Sequence, residues 1–331
     1  MDVAVHHLVV PVQEQSQVGE ARRVATRLAE ALGFDETAVG QIAIVATELA
    51  HNLIKHTPAG GKMVAQVGVD GAFELICINH GNGASNTALW LRDGYSTSGT
   101  LGTGLGAVSR LAQEFDLQSD PEHGTVVCAR FLQNPKQQGF DVGVVNLPKE
   151  GEPVCGDSWS VAKQTERLSM IVADGLGHGF EAAEASREAI NIFRETPFME
   201  PAEMLQKLHG ELRKTRGAAV SIVQIDKRAG VARFSGLGNV SATIANSTTR
   251  KHFVPDNGTV GYEVRKIRTS ELPWNLNDIV IMHSDGISSS WNLSDYPLLA
   301  RHTASAIAGV LYRDFGKRHD DVTALVVKAR L

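Results

Sequence analysis

Cysteine is scarce in this chain, with Cys77, Cys128 and Cys155 the three among 331 residues. An odd number at wide spacing suits neither a disulfide framework nor a C-x-x-C zinc site, so reduced, buried small hydrophobes are expected. Long apolar runs are also missing. Stretches such as Ile42 to Ala46 and Ile279 to Met282 fall far short of the ~20 residues that cross a bilayer, so no membrane span is expected. The N-terminal Met-Asp-Val-Ala-Val-His-His has no basic start, apolar stretch or small-residue cleavage site. It is not a secretory signal, and a cytoplasmic location is expected. Basic charge is in deficit, 32 Lys and Arg against 37 Asp and Glu for a net −5, which disfavours nucleic acid as a partner. No internal repeat or low-complexity tract is visible.

What is present is a globular composition, 43% hydrophobic and 21% charged, with length for about two domains at roughly 100 to 200 residues each. Val3 to Val12 reads as a strand and Gly19 to Leu32 as a helix stopped by Gly33. From Glu36 to His56, apolar residues Ile42, Val45, Ala46, Leu49 and Leu53 recur at three and four, which predicts a long helix ended before Pro58. Strands Met63–Val69 and Phe73–Ile78 flank Asp70-Gly71, a hairpin turn signal. A Gly- and Ser-rich loop, a helix at 104–113 and two strands complete a first α+β unit by residue 132. The polar segment Gln133-Asn-Pro-Lys-Gln-Gln-Gly139 is the expected linker. Beyond it, residues 140–331 read as strands near 142–146, 158–162, 168–173, 220–225, 231–235, 241–244, 278–282 and 322–327. Helices are expected near 181–194, 201–214 and 305–312.

Four aspartate motifs in the second half fall at strand ends. Asp174-Gly175 follows Met170-Ile-Val-Ala173, Asp285-Gly286 follows Ile279-Val-Ile-Met-His-Ser284, Gly156-Asp157 precedes a strand, and Asp320-Asp321 opens the last one. Brought to one sheet edge, each carboxylate pair ~4 Å apart would repel by about 4 kcal/mol at an effective dielectric of 20, so a cation must neutralise them. All-oxygen ligands select Mg²⁺ or Mn²⁺ over zinc. Two such ions, ~3.5 to 4 Å apart, suit phosphoester hydrolysis by an activated water. Cys155-Gly-Asp157-Ser-Trp, Val172-Ala-Asp174-Gly-Leu-Gly-His-Gly179, His283-Ser-Asp285-Gly and Asp320-Asp-Val-Thr323 together resemble the PPM-type serine/threonine phosphatases of the SpoIIE/RsbX branch. That resemblance implies an α/β/β/α sandwich of two antiparallel sheets, with metals held by Asp157, Asp174, the Gly175 carbonyl, Asp285 and Asp320. Asp321 is held in reserve. His178 reads either as a general acid or, more readily, as a structural residue at a helix start.

In the first half, Glu48, Asn52 and His56 lie four apart on one helix face. Gly99-Thr-Leu-Gly102-Thr-Gly104-Leu-Gly106 runs into a helix, whose free N–H groups can hold phosphate. With Asn79-His-Gly81-Asn-Gly83, this ordered set resembles the GHKL ATPase/kinase family, closest to the RsbT/RsbW-type serine kinases, and implies a Bergerat-type α/β sandwich. On that resemblance Asn52 binds Mg²⁺ on ATP, Glu48 orients or deprotonates the attacking hydroxyl, and Gly102, Gly104 and Gly106 form the phosphate lid. Asn79 would face adenine, standing where the family usually has Asp, and Gly81 and Gly83 would belong to the same nucleotide site. The whole then reads as a bacterial stress or sigma-factor regulator. Its phosphatase would act on a phosphorylated STAS-domain protein, an anti-sigma antagonist or stressosome scaffold, in opposition to the kinase-like domain. A second reading makes the first half a docking or nucleotide-sensing module without catalysis.

Overall fold

The computed structural model describes residues 7–57, 59–84, 87, 90, 104–133, 139–296 and 298–330. The chain divides into two compact units, Met1–Gln137 and Gln138–Leu331.

In the first unit the elements are β1 (Leu8–Val12), α1 (Gln15–Ala31), α2 (Glu36–His56), β2 (Gly61–Val67), β3 (Phe73–Asn79), α3 (Gly104–Leu111), β4 (Glu114–Asp120) and β5 (Gly124–Phe131). The strands form one antiparallel sheet in the order β1-β2-β3-β5-β4. Helix α2 has the expected bounds, because Asp35 Oδ1 caps its first turn by accepting from Ala38 N at 2.8 Å and the apolar spacing continues to Leu53. Helix α1 starts four residues before the expected Gly19. There the Gln17 side chain reaches back to accept from the Glu14 N–H at 3.0 Å, a polar cap that apolar periodicity does not reveal. Residues Met63, Ala65, Phe73, Leu75, Cys77, Val127, Ala129 and Phe131 on one sheet face bury against Ala21, Ala25, Leu28, Ile42, Val45 and Leu49 of the two helices. Cys77 and Cys128 are free and buried, and burial pushes both thiols up.

Arg130 is buried on the other face of the same sheet. Its side chain is 6% exposed, and it pairs with Asp70 at 2.8 Å, Glu114 at 2.6 Å and Glu74 at 3.5 Å. Glu74 and Glu114 both sit opposite Arg130 in the ladder, so one cation ties three strands. The expected hairpin turn at Asp70 thus also supplies a carboxylate to this cluster.

The second unit comprises β6 (Phe140–Leu147), β7 (Asp157–Lys163), β8 (Arg167–Gly175), α4 (Phe180–Glu195), α5 (Pro201–Glu211), β9 (Ala218–Asp226), β10 (Val231–Leu237), β11 (Ser241–Ala245), β12 (Arg250–His252), β13 (Gly258–Thr259), β14 (Glu263–Val264), β15 (Ser270–Pro273), β16 (Ile279–His283), α6 (Ala304–Phe315) and β17 (Val322–Ala329). Two five-stranded antiparallel sheets run β15-β10-β9-β8-β7 and β12-β11-β16-β17-β6. Helices α4 and α5 pack on the first and α6 on the second, giving the expected α/β/β/α sandwich. Ile171, Ala173, Val220 and Ile222 bury against Ala189, Phe193, Leu205 and Leu208 of the helices. The alternating Met170, Val172, Val223 and Ile225 are buried as well, as the period of two demands for strands covered on both faces. Helix α5 ends at Glu211 rather than Lys214, the last turn tightening into a 3₁₀ segment over Leu212–Lys214. Strands β12 to β15 have no counterpart in the sequence reading, being two to four residues long and largely exposed. Among the described residues no helix is long and apolar enough to cross a membrane.

Removing the Arg130 cation would leave the buried Glu74 carboxylate facing two further acids. Arg130→Ala is expected to cost about 3 to 5 kcal/mol in denaturant unfolding. Breaking the exposed Arg233–Glu271 pair should cost less than about 1 kcal/mol.

Candidate functional site

The second unit gathers the expected aspartates. Asp157 is the first residue of β7 and lies directly opposite Asp174 of β8 in the ladder. Asp285 follows β16, and Asp320 and Asp321 immediately precede β17, its neighbour in the other sheet. A side-chain bond joins the two sheets at this edge, Thr323 Oγ1 of β17 donating to Asp157 Oδ2 at 2.9 Å. Asn146 Nδ2 of β6 donates to the same Thr323 oxygen at 2.8 Å. Cys155 is only half-buried, unlike the other two thiols. It is a hydrogen-bonding group here, its Sγ donating to Leu147 O and accepting from Asn146 Nδ2, both at 3.3 Å.

The electrostatics confirm that the acids share one region. Burial, then Asp157, Asp285, Asp320 and Asp321, lift the Asp174 carboxyl to about 9. Burial lifts Asp157 to about 7, although the Ser284 and Thr323 hydroxyls pull it down. Asp320 is raised by burial and by Asp285.

Each buried acid is held by one oxygen. Asp157 uses Oδ2 on Thr323, and Asp321 uses Oδ1, which accepts from Lys149 N at 2.9 Å. The other oxygens, Asp157 Oδ1 and Asp321 Oδ2, are buried without a hydrogen-bond donor. Such atoms are costly unless a proton or cation meets them, so this donor set fits a hard cation. The backbone presses close, since a Cβ on Gly156 would lie 2.6 Å from Asp321 Oδ2. Asp320 is partly exposed, with Oδ1 accepting from Asp321 N at 3.0 Å. Asp285 accepts from Asn239 Nδ2 at 2.7 Å. Among the described residues no group of three His, Cys, Asp or Glu forms a ready cage by itself. Backbone carbonyls and water would therefore complete the shell, the usual habit of Mg²⁺. Asn239, Ser284 and Thr323 position these acids and were missed as site residues. Ser284 and Thr323 lay inside the quoted motifs, whereas Asn239 carried no sequence signal.

His178 is exposed and its Nδ1 lies 2.6 Å from Glu152 Oε1. It has a pairing partner outside the carboxylate cluster.

In the first unit, Glu48 and Asn52 of α2 face the start of α3. A Cβ on Gly104 would lie 3.1 Å from Glu48 Oε2 and 3.6 Å from Asn52 Oδ1. Asn52 Nδ2 is buried without a hydrogen-bond partner. Asn79 ends β3, and its side-chain oxygen accepts from Gly81 N at 3.0 Å. Gly81 rests on His56 O and Thr57 at the end of α2, and Gly83 on Asp120 O. Gly106 is buried in α3. Gly102 lies outside the described residues.

Comparison with known proteins divides along the same two units. The family described as Stage II sporulation protein E (SpoIIE) matches residues 164–330, and that described as histidine kinase-like ATPase domain matches residues 12–131. The phosphoserine phosphatase RsbX of Bacillus subtilis (strain 168) is 25% identical over 159 residues, 48% of this chain and 80% of RsbX. The serine/threonine-protein kinase RsbT of the same organism is 32% identical over 122 residues, 36% of this chain and 92% of RsbT. A solved structure described under "The bacterial stressosome: a modular system that has been adapted to control secondary messenger signaling" is 30% identical with a TM-score of 0.54, covering 57% of this chain and 99% of its own. A crystal structure of RsbX in complex with magnesium, 20% identical with a TM-score of 0.53 over 66% of this chain and all of that one, shares the fold. The chain therefore belongs to the SpoIIE family of PPM-type serine/threonine phosphatases and carries, ahead of that domain, a histidine kinase-like ATPase domain related to RsbT.

Proposed function

We propose that residues 140–331 remove phosphate from a serine or threonine of a STAS-domain protein in a bacterial stress or sigma-factor pathway. Two Mn²⁺ or Mg²⁺ ions would be held by Asp157, Asp174, the Gly175 carbonyl, Asp285 and Asp320, with Asp321 in reserve. The observation that carries this reading is the pair of buried, donorless oxygens on Asp157 and Asp321 within a cluster of five carboxyls. Cations bound there would supply a nucleophilic water and offset the charge of the phosphate oxygens. The chain's own part is to orient the acids: Thr323 fixes Asp157, Asn239 fixes Asp285, and Lys149 N fixes Asp321.

In the same proposal residues 1–132 bind Mg-ATP and phosphorylate the same partner, with Asn52 on Mg²⁺, Glu48 toward the hydroxyl, and Gly102, Gly104 and Gly106 around the phosphates. The closeness of Gly104 to Glu48 and Asn52 supports it. One observation favours the docking or sensing alternative. Asn79 is neutral where the resemblance calls for a carboxylate, and its oxygen is already engaged by Gly81 N.

Hydrolysis of p-nitrophenyl phosphate by the full chain is expected to require Mn²⁺ or Mg²⁺, to stop with chelator, and to fall by orders of magnitude in Asp174→Asn with the fold intact. Undiminished turnover in that variant would refute the site.

Protonation gives a second check. The folded Asp157 and Asp174 hold protons up to about pH 7 and 9, whereas an unfolded Asp releases its proton near ~3.9. The folded state thus binds more protons in between, and unfolding free energy must decrease as pH rises. Cation-free protein should show its full contribution below about pH 4 and lose it progressively through pH 7 to 9. Added Mn²⁺ should restore the Tm at pH 8. A Tm that rises over this range without metal would contradict the buried cluster.

For the first unit, Asn79→Asp restores a charged acceptor, roughly twice as strong as a neutral one. Calorimetric titration with Mg-ATP should show a gain on the order of 1 kcal/mol, about fivefold, with phosphatase activity unchanged. Absence of ATP binding at millimolar concentration in both forms would leave the docking reading in place.

A further inference from the structure

The loop that leaves Asp174 carries two large apolar side chains that the hydrolytic site does not use. Leu176 is 45% exposed and Phe180 68% exposed. A single exposed hydrophobe is ordinary, but two within five residues, on the segment that carries a site carboxylate, are not. Gly177 and Gly179 adopt φ of +93° and +75°, a conformation that a Cβ would strain. With these turns, residues 176, 178 and 180 are all exposed.

The loop is pinned rather than frayed. Leu176 N donates to Gly217 O at 3.0 Å, His178 pairs with Glu152 at 2.6 Å, and Arg216 pairs with Glu181. The first turn of α4 lies against the strand end, since a Cβ on Gly175 would fall 2.0 Å from Ala182 O. Exposure of Leu176 and Phe180 is thus a fixed feature beside Asp174. Two residues of extended chain reach at most ~7 Å, so Leu176 lies within that distance of Asp174 along the backbone.

We propose that Leu176 and Phe180 are specificity-determining residues that grip the polypeptide flanking the phosphorylated serine or threonine. A phosphate delivered to the aspartates on a polypeptide brings the residues one to three positions away across this loop, and an apolar side chain there would cover Leu176 and Phe180. A small phosphate ester has no such flank. The inference rests on the phosphatase reading proposed above.

The test uses the full chain with Mn²⁺ and two probes, p-nitrophenyl phosphate and a serine-phosphorylated STAS-domain protein. Leu176→Ser combined with Phe180→Ser should raise KM for the phosphoprotein about tenfold or more and leave kcat and p-nitrophenyl phosphate kinetics within about twofold. Leu276→Ser is the control, because Leu276 is 55% exposed but precedes β16, at the strand end opposite Asp285. It should change neither. An unchanged phosphoprotein KM, an equal loss on both substrates, or loss of self-association with KM intact would each overturn the proposal. Phosphoprotein affinity in the Asp174→Asn background, read by calorimetry without turnover, separates the two claims. Wild-type protein that fails to hydrolyse p-nitrophenyl phosphate, while the double variant still weakens phosphoprotein binding, refutes only the phosphatase reading. Affinity indifferent to both substitutions refutes only the grip.

Discussion

Mutual repulsion among buried carboxylates is the constraint around which the second unit is built. Asp157 and Asp174 face each other across one ladder, and Asp285, Asp320 and Asp321 come from the adjoining sheet. Left to themselves, charges of one sign in a poorly solvated cleft move apart or take up protons. Neither escape by movement is open here. Thr323 holds Asp157, Lys149 N holds Asp321, and Asn239 holds Asp285. Burial first, and the neighbouring acids after it, raise the carboxyls of Asp157 and Asp174. Because Thr323 bridges from β17 to β7, the bond that orients an acid also joins the two sheets, so sandwich packing and site geometry depend on each other.

The first unit solves a related problem by enclosing its charge balance. Arg130 meets three acids drawn from neighbouring strands and a turn, its two terminal nitrogens donating to Glu114 and Asp70 while Nε lies 3.5 Å from Glu74. Such a cluster adds little net stability compared with apolar packing but penalises any register that separates the partners. The contrast between the units is instructive. In the first the acids surround a guanidinium, whereas in the second the charged groups that act on Asp157 and Asp174 are other carboxyls. That difference in charge balance is what sets the two clusters apart.

Much of this was legible before any coordinates. Helix α2 could be bounded because its apolar spacing and its terminating Pro58 agree, the Asp35 cap being seen only in the structure, and the strand-end aspartates stood out because each sits where an apolar strand meets a glycine or another acid. Other features left weaker traces. The start of α1 depends on a polar side chain reaching back to the main chain, which hydrophobic periodicity does not record. Strands β12 to β15 are too short and too exposed to alternate visibly. Asn239 lies 46 residues from Asp285 in sequence, and only the folding of β11 against β16 brings it near. A positioning residue has a single partner and no motif, so pairing across strands is the information that reveals it.

The two halves of the site inventory also differ in how much chemistry their residues retain. In the second unit the structure brings Asp157, Asp174, Asp285, Asp320 and Asp321 into one region, with Asp157 and Asp174 raised by burial and by the neighbouring acids. In the first, Glu48 and Asn52 face α3 as the resemblance requires, but Asn79 offers a neutral oxygen with one lone pair already committed to Gly81 N. An amide oxygen has two acceptor sites, so under the proposed nucleotide reading adenine recognition would be weakened rather than blocked. If both units act on one partner, as proposed, a weakened nucleotide site opposite an intact hydrolytic one tilts the balance toward the dephosphorylated form. The tilt would be greatest when ATP is scarce, because a weaker site loses occupancy first as nucleotide falls.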